Sequence, residues 1–163
     1  DFKGYYWLAA NYYSQGKNKQ AVLALERSLE FNDHYAPSYF LEGAIFYSKK
    51  QYSSALKSME EALRVDSNLV EAKLEYGVIL LQMNRLNEAM QTFQDILLGV
   101  NDYREQAFYF AGETAYFMHE KDKACEYWKQ GEILGDYYSA ENWKRLCVEG
   151  KKPRVRKNTK VAF

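Results

Sequence analysis

Residues 36–68 read APSYFLEGAIFYSKKQYSSALKSMEEALRVDSN. Apolar residues recur three or four positions apart through two segments, about 37–49 and 52–65, with a short polar interval between them. This spacing places the apolar side chains on one face of a helix in each segment. Pro37 suits the first turn of its helix, where the amide proton that proline lacks would have no partner. The stretch therefore predicts two antiparallel helices joined by a short turn.

The small residue in the second of these segments recurs through the chain. It is Ala21, Ala55, Ala89 and Ala124, separated by 34, 34 and 35 positions. Another small residue stands twelve positions before each alanine, and a bulky residue stands four positions after it. The small residues are Ala9, Gly43, Gly77 and Gly112, and the bulky residues are Leu25, Met59, Phe93 and Trp128. Because antiparallel helices approach most closely where side chains are small, we expect these glycines to face the alanines of their own units.

The period predicts an all-α protein of four helical hairpins followed by a capping helix. The repeats are expected at about 2–35, 36–69, 70–104 and 105–138, within an array that covers residues 1–150. Ser139 is predicted to be the N-cap of the capping helix, which covers 139–149. Residues 151–163 form a basic C-terminal tail. The paired helices are predicted at 3–15 with 19–31, 37–49 with 52–65, 70–83 with 86–98, and 104–118 with 121–133.

The quoted stretch resembles a tetratricopeptide repeat, and the resemblance extends over about residues 2–150. The residues that carry it are Tyr39, Gly43, Phe46, Tyr52, Ala55, Met59, Ala62 and Leu63. Departures occur where Ser28, Ile96 and Gly131 stand in the place of Ala62, and where Lys73 replaces an aromatic residue. The resemblance implies an α-α superhelix, or solenoid, whose first helices line a concave groove that accepts a peptide or a partner helix. It also implies a scaffold or adaptor that binds protein.

A second stripe on each first helix lies beside the small packing residue and is predicted to face this groove. Eleven of its twelve residues are apolar or aromatic, so the stripe predicts that a hydrophobic or aromatic peptide segment binds there. The predicted peptide-binding residues are Tyr6, Tyr13, Phe40, Tyr47, Leu74, Leu81, Tyr109, Glu113 and Tyr116, and Ala10, Ala44 and Val78 complete the stripe.

Two other interpretations of the stripe and the array stay open. An aromatic stripe at helical spacing also forms when side chains pack between neighbouring hairpins. The chain can equally be a structural segment of a longer array, with an empty groove and ends that stack on further repeats. Trp7 keeps the interpretation as a segment of a longer array open, since it lies off both stripes of the first helix.

Charge and motifs narrow the classes of function. Residues 151–163 hold six Lys or Arg and no acid, which leaves 16 basic against 22 acidic residues in the body. An acidic body repels a phosphate backbone, so nucleic acid or another acidic surface could be bound only by the tail. The tail could alternatively fold back over the groove or enter a neighbouring molecule.

No membrane-spanning run, phosphate-binding loop, metal-ligand pattern or catalytic motif is found, so we expect neither an enzyme nor a cofactor.

Cys125 and Cys147 are candidates for a disulfide. Cys125 follows the small alanine of the fourth hairpin, and Cys147 lies on the capping helix that should pack against that hairpin. A bond would indicate an exported protein, whereas two buried thiols would fit the cytoplasm equally well. Asp1 opens the chain in place of a methionine, so we expect a processed or excised protein.

Overall fold

The computed structural model describes residues 1–154, and within this range the secondary structure is entirely helical. Eight helices form consecutive pairs, and a shorter ninth follows them. Their bounds are α1 (Phe2–Ser14), α2 (Asn18–Phe31), α3 (Ala36–Ser48), α4 (Tyr52–Val65), α5 (Val70–Gln82), α6 (Leu86–Leu98), α7 (Arg104–Phe117), α8 (Lys121–Leu134) and α9 (Tyr137–Trp143). The all-α class and the predicted helix pairs are confirmed, and the ends of the paired helices differ from the prediction by at most one residue.

The described chain divides into two compact units, residues 1–72 and the residues from 73 onward. In the first unit, α1 packs on α2 and α3 packs on α4. The core between these hairpins is made of Ala9, Ala21, Leu25, Leu41 and Ile45. In the second unit, α7 packs on both α6 and α8, and α9 covers α8.

The turn inside each hairpin has one conformation, repeated four times. Its central residue is left-handed, with positive φ at Gly16, Lys50, Asn84 and His119. At Lys50 the backbone amide donates to the Tyr47 carbonyl at 2.8 Å, and the following amide donates to the Phe46 carbonyl at 2.9 Å. Equivalent bonds close the other three turns and satisfy carbonyls that the helix end leaves unpaired. The sequence predicted a turn at Gly16 but did not reveal that Lys50 and His119 adopt the same geometry.

Gly43 lies against the alanine of its own unit, as predicted, and it lies closer still to the bulky residue of that unit. A Cβ built on Gly43 would lie 2.7 Å from Met59 Cε, and the Ala55 carbonyl oxygen would be at 3.3 Å. At Gly77 the nearest atoms belong to Phe93. The glycines therefore make room mainly for the bulky side chain of the partner helix, because that side chain is too large to pack beside a methyl group.

The capping helix begins earlier than predicted. Asp136, and not Ser139, is its N-cap, since the Asp136 carboxylate accepts a hydrogen bond of 2.6 Å from the Ser139 amide. Ser139 lies inside the helix and is fully buried against Gly131. After Trp143 the chain continues as a π-helical segment, Lys144–Val148.

The chain returns along the capping helix at residues 151–154. The side-chain amide of Asn142 donates to the Arg154 carbonyl at 2.9 Å, and its oxygen accepts from the Arg154 amide at 2.8 Å. Arg145 Nε donates to the Lys152 carbonyl at 3.0 Å, and Arg154 forms an ion pair of 2.7 Å with Glu141. The rest of the basic tail, residues 155–163, lies outside the described residues, so the predicted role of the tail as a groove ligand or self-association segment stays a prediction.

Candidate protein-interaction surface

The predicted stripe of the first unit combines buried and partly exposed aromatic residues. Tyr6 and Tyr13 of α1 and Tyr47 of α3 are half-buried, whereas Phe40 is buried. Within each helix the two named residues lie two turns apart, next to the small residue Ala9 or Gly43 on the helix surface. The three tyrosines therefore expose part of their rings without leaving the packed surface.

Tyr6 belongs to an aromatic cluster. Its ring meets Trp7 edge to face with centroids 5.1 Å apart and meets Tyr35 at 5.4 Å, while Phe2 meets Tyr35 at 5.0 Å. Burial raises the pKa of the Tyr6 hydroxyl above its ordinary value, and the nearby Tyr35 and Glu71 raise it further. The hydroxyl thus stays protonated at neutral pH and can donate a hydrogen bond.

Tyr47 lies near the C-terminal end of α3. Its ring is tilted against that of Tyr52, the first residue of α4, with centroids 5.7 Å apart. This contact holds the Tyr47 ring at the end of the hairpin while part of its surface stays exposed. Aromatic rings held in this way lose little conformational freedom when a ligand covers them.

The predicted stripe of the second unit is mostly buried. Leu74, Leu81, Tyr109 and Glu113 are buried, and Tyr116 is half-buried. The Tyr109 hydroxyl donates a hydrogen bond of 2.6 Å to Glu113, and the Tyr109 carbonyl accepts one of 3.1 Å from Trp128 Nε1. The four buried residues expose almost no surface to a partner. Among the five, only Tyr116 is partly exposed like the tyrosines of the first unit.

A disulfide joins Cys125 of α8 to Cys147 of the π-helical segment. It closes a covalent loop that spans 22 residues and includes α9. Lys129 of α8 also lies over the Trp143 ring, with its Nζ 3.9 Å from the ring centroid. The capping helix is therefore attached to the fourth hairpin by a covalent bond and by a cation–π contact.

Within residues 1–154, no group of three or more His, Cys, Asp or Glu side chains could hold a metal ion. In the same range, none of the helices combines the length and the apolar character that crossing a bilayer requires.

Residues 2–35 match a family model described as a tetratricopeptide repeat, and residues 46–107 match a second model of that repeat. The chain belongs to the tetratricopeptide repeat family. The two matches include the first hairpin and the segment from the end of α3 to the start of α7. No curated protein matches this tetratricopeptide repeat chain in sequence.

Solved structures share the fold of this tetratricopeptide repeat protein. The structure of PilF from Pseudomonas aeruginosa is 22% identical, with a TM-score of 0.81 over 91% of this chain and 68% of that chain. A structure of PilW, described as a type IV pilus biogenesis factor, is 19% identical, with a TM-score of 0.81 over 92% and 70%. MamA from Desulfovibrio magneticus RS-1 is 14% identical, with a TM-score of 0.80 over 91% and 85%. At these identities the likeness shows a common fold.

Proposed function

We propose that this chain is a non-enzymatic scaffold that binds a polypeptide segment against the partly exposed tyrosines of its first helices. The observation that carries this proposal is the half-burial of Tyr6, Tyr13 and Tyr47 on the first-helix stripe of the first unit. Tyr116 repeats the arrangement in the second unit. Membership of the tetratricopeptide repeat family supports it, because the first helices of such arrays are the surfaces expected to meet a ligand.

The chemistry of these tyrosines favours an apolar or aromatic peptide anchor. A tyrosine ring supplies a flat apolar surface with few rotatable bonds, and its hydroxyl can bond to a peptide carbonyl at the edge of the contact. The stripe also holds Ala10, which is partly exposed and adds apolar surface and no charge. We therefore expect a segment with a buried hydrophobic side chain and not a strongly charged tail.

Quantitative affinity capture from an extract of the source organism tests this proposal. The wild-type chain is compared with a Tyr13→Ala, Tyr47→Ala double variant and with Tyr127→Ala. Tyr127 is a matched control because it is a half-buried tyrosine on a second helix, α8, with its hydroxyl bonded to Gln94 at 2.9 Å. A partner of the stripe should be retained by the wild type and the control and reduced about tenfold by the double variant.

Circular dichroism spectra of the three proteins establish that the helices remain intact. If the double variant is folded and retains every partner that the wild type retains, the stripe does not bind protein. If a triple variant that also carries Tyr116→Ala is folded and retains every partner, the stripe of the second unit does not bind protein either. Loss of one partner only in the double variant would support the proposal.

We also propose that the protein works in an oxidising compartment. The Cys125–Cys147 disulfide supports this, because such bonds persist outside the cytosol and are reduced within it. The bond favours the exported protein among the locations left open by the sequence.

A further inference from the structure

The buried side chain of Asn142 is bound to the main chain of a residue twelve positions later. Asn142 is only 1% exposed, its Nδ2 donates to the Arg154 carbonyl at 2.9 Å, and its Oδ1 accepts from the Arg154 amide at 2.8 Å. An asparagine side chain carries the same donor and acceptor groups as a peptide bond. Asn142 therefore recognises the main chain of Arg154 and not its side chain.

Two neighbours of Asn142 hold the same stretch of chain. Arg145 Nε donates to the Lys152 carbonyl at 3.0 Å. The Glu141 carboxylate forms an ion pair of 2.7 Å with the Arg154 guanidinium, and the Glu141 side chain is 21% exposed. Together, the three side chains bind the main chain at two residues and one basic side chain. These are the contacts by which a protein binds a peptide of defined register.

We call Glu141, Asn142 and Arg145 the clasp, and residues 151–154 the strap. Three of the four strap residues are exposed, and the fourth, Pro153, is half-buried. The strap therefore buries little apolar surface, and its attachment depends on hydrogen bonds and on a partly exposed ion pair. Each contact of this kind contributes little free energy, so a competing segment with the same groups can replace the strap.

We infer that the clasp is a peptide-binding site, which the strap occupies as an internal ligand. The ligand that fits the clasp is a non-helical segment of a partner polypeptide with an arginine at the position of Arg154. Asn142 selects a residue whose amide and carbonyl are both free to bond, and Glu141 selects a basic side chain. Binding of the partner segment is therefore controlled by release of the strap.

The clasp is distinct from the tyrosine stripe of the proposed function, and the inference does not rest on that function. The clasp lies on the capping segment after the fourth hairpin. It binds through an asparagine, an arginine and a glutamate, whereas the stripe offers tyrosine rings to an apolar anchor. The two sites can therefore be tested independently.

The full chain with Arg154→Pro opens the clasp. Proline at this position has no amide proton for Asn142 and no guanidinium for Glu141, and the rest of the sequence is kept. Nuclear magnetic resonance of isotope-labelled protein follows the side-chain amide of Asn142, and we expect its signals to move in the variant. Circular dichroism and a thiol count establish that the helices and the Cys125–Cys147 disulfide remain.

The binding probe is a capped synthetic peptide with the sequence of residues 150–155, GKKPRV. Added to the Arg154→Pro chain, it should return the Asn142 signals to their wild-type positions in a saturable titration. The wild-type chain should need roughly tenfold more peptide or more, because its tethered strap competes at an effective concentration on the order of millimolar.

Altered peptides test the recognition without changing the protein. Methylation of the Arg154 amide nitrogen removes the donor for Asn142 and keeps the charge, and binding to the Arg154→Pro chain should weaken about tenfold. An Arg154→Ala peptide, which has no guanidinium for Glu141, should also bind more weakly. A Lys152→Ala peptide is the matched control: it loses one positive charge but keeps the carbonyl that Arg145 binds, so its affinity should stay within about twofold.

Four results would overturn the inference. If the peptide does not restore the Asn142 signals of a folded Arg154→Pro chain, the clasp only holds the chain end in place. Equal binding of the parent and the methylated peptide would show attraction by charge alone. Equal peptide affinities of the wild type and Arg154→Pro would show that the strap does not occupy the clasp in solution. A wild-type dimer in sedimentation that Arg154→Pro converts to a monomer would assign the clasp to the strap of a second copy.

Discussion

Gly112 and Trp128 lie in such close contact that no side chain fits between them. A Cβ on Gly112 would be 2.4 Å from both Cδ1 and Nε1 of the Trp128 ring. The ring is fully buried, and its Nε1 is held by a hydrogen bond to the Tyr109 carbonyl. The same close approach joins Gly43 to Met59.

Gly112→Ala should therefore destabilise the chain, by roughly 1–3 kcal/mol, because an indole ring fixed by a hydrogen bond cannot move away from the new methyl group. Helix propensity alone predicts a gain of about 0.5–1 kcal/mol for the same change. Urea denaturation followed by circular dichroism measures the difference. Gly4→Ala is the control, since nothing lies within 4 Å of a Cβ at that exposed position of α1. If both substitutions raise the free energy of unfolding, the Trp128 ring can move away from the added methyl group.

Lys50→Gly should stabilise the protein by about 1 kcal/mol. Lys50 has a φ of +58°, which costs an L-residue energy through contact between Cβ and the backbone, and glycine avoids this cost. Its neighbour Lys49 has a φ of −89°, so Lys49→Gly should bring no gain. The midpoint of thermal unfolding compares the two variants. A lower midpoint for Lys50→Gly would show that the added freedom of the unfolded chain outweighs the relieved strain.

Reduction of the Cys125–Cys147 disulfide should lower the free energy of unfolding by roughly 2–4 kcal/mol. The bond restricts a loop of the unfolded chain that includes α9. Guanidinium titrations with and without reductant measure the loss. Thiol titration of unreduced, unfolded protein should find no free thiol, and two thiols per chain would contradict the pairing.

Glu42→Gln should stabilise the chain at neutral pH. Burial raises the pKa of the Glu42 carboxyl above its ordinary value, Glu26 raises it further, and the hydrogen bond of 2.7 Å from Ser58 opposes the shift. The folded state binds the Glu42 proton more tightly than the unfolded state does. The stabilisation that this proton provides is therefore fully present below the pKa of Glu42 in the unfolded chain, and it is lost as pH rises through the pKa of Glu42 in the folded chain.

Urea titrations of wild type and Glu42→Gln at several pH values measure this effect. The free energy of unfolding of Glu42→Gln should exceed that of the wild type most at pH 7. The difference should vanish near pH 4, about where an ordinary glutamate is protonated. Glu60→Gln, at an exposed position of α4, controls for the loss of one charge. A constant difference across the pH range would show that Glu42 does not titrate as inferred.

The sequence predicted the hairpins more fully than it predicted the surface. Recurrence of Ala21, Ala55 and Ala89 at one spacing located the paired helices to within one residue, because each hairpin repeats the same local packing. The stripe that contains Tyr6 and Tyr109 was predicted as one surface, yet Tyr109 is buried and Tyr6 is half-buried. Period alone cannot separate them, since both occupy the same position of their repeats.

By itself, the sequence determined the all-α class, the helix pairs and the membership of the tetratricopeptide repeat family. These depend on the periodic spacing of apolar residues, and each repeat contains that spacing within its own residues. Only the tertiary structure decided which side chain lies nearest to each of these glycines and that Asp136 caps the last helix. It also decided that Trp7 is exposed whereas Leu41, at the same position of the next repeat, is buried. The physical reason is that burial depends on the helix that packs against a residue, and the same position is covered in one hairpin and open in another.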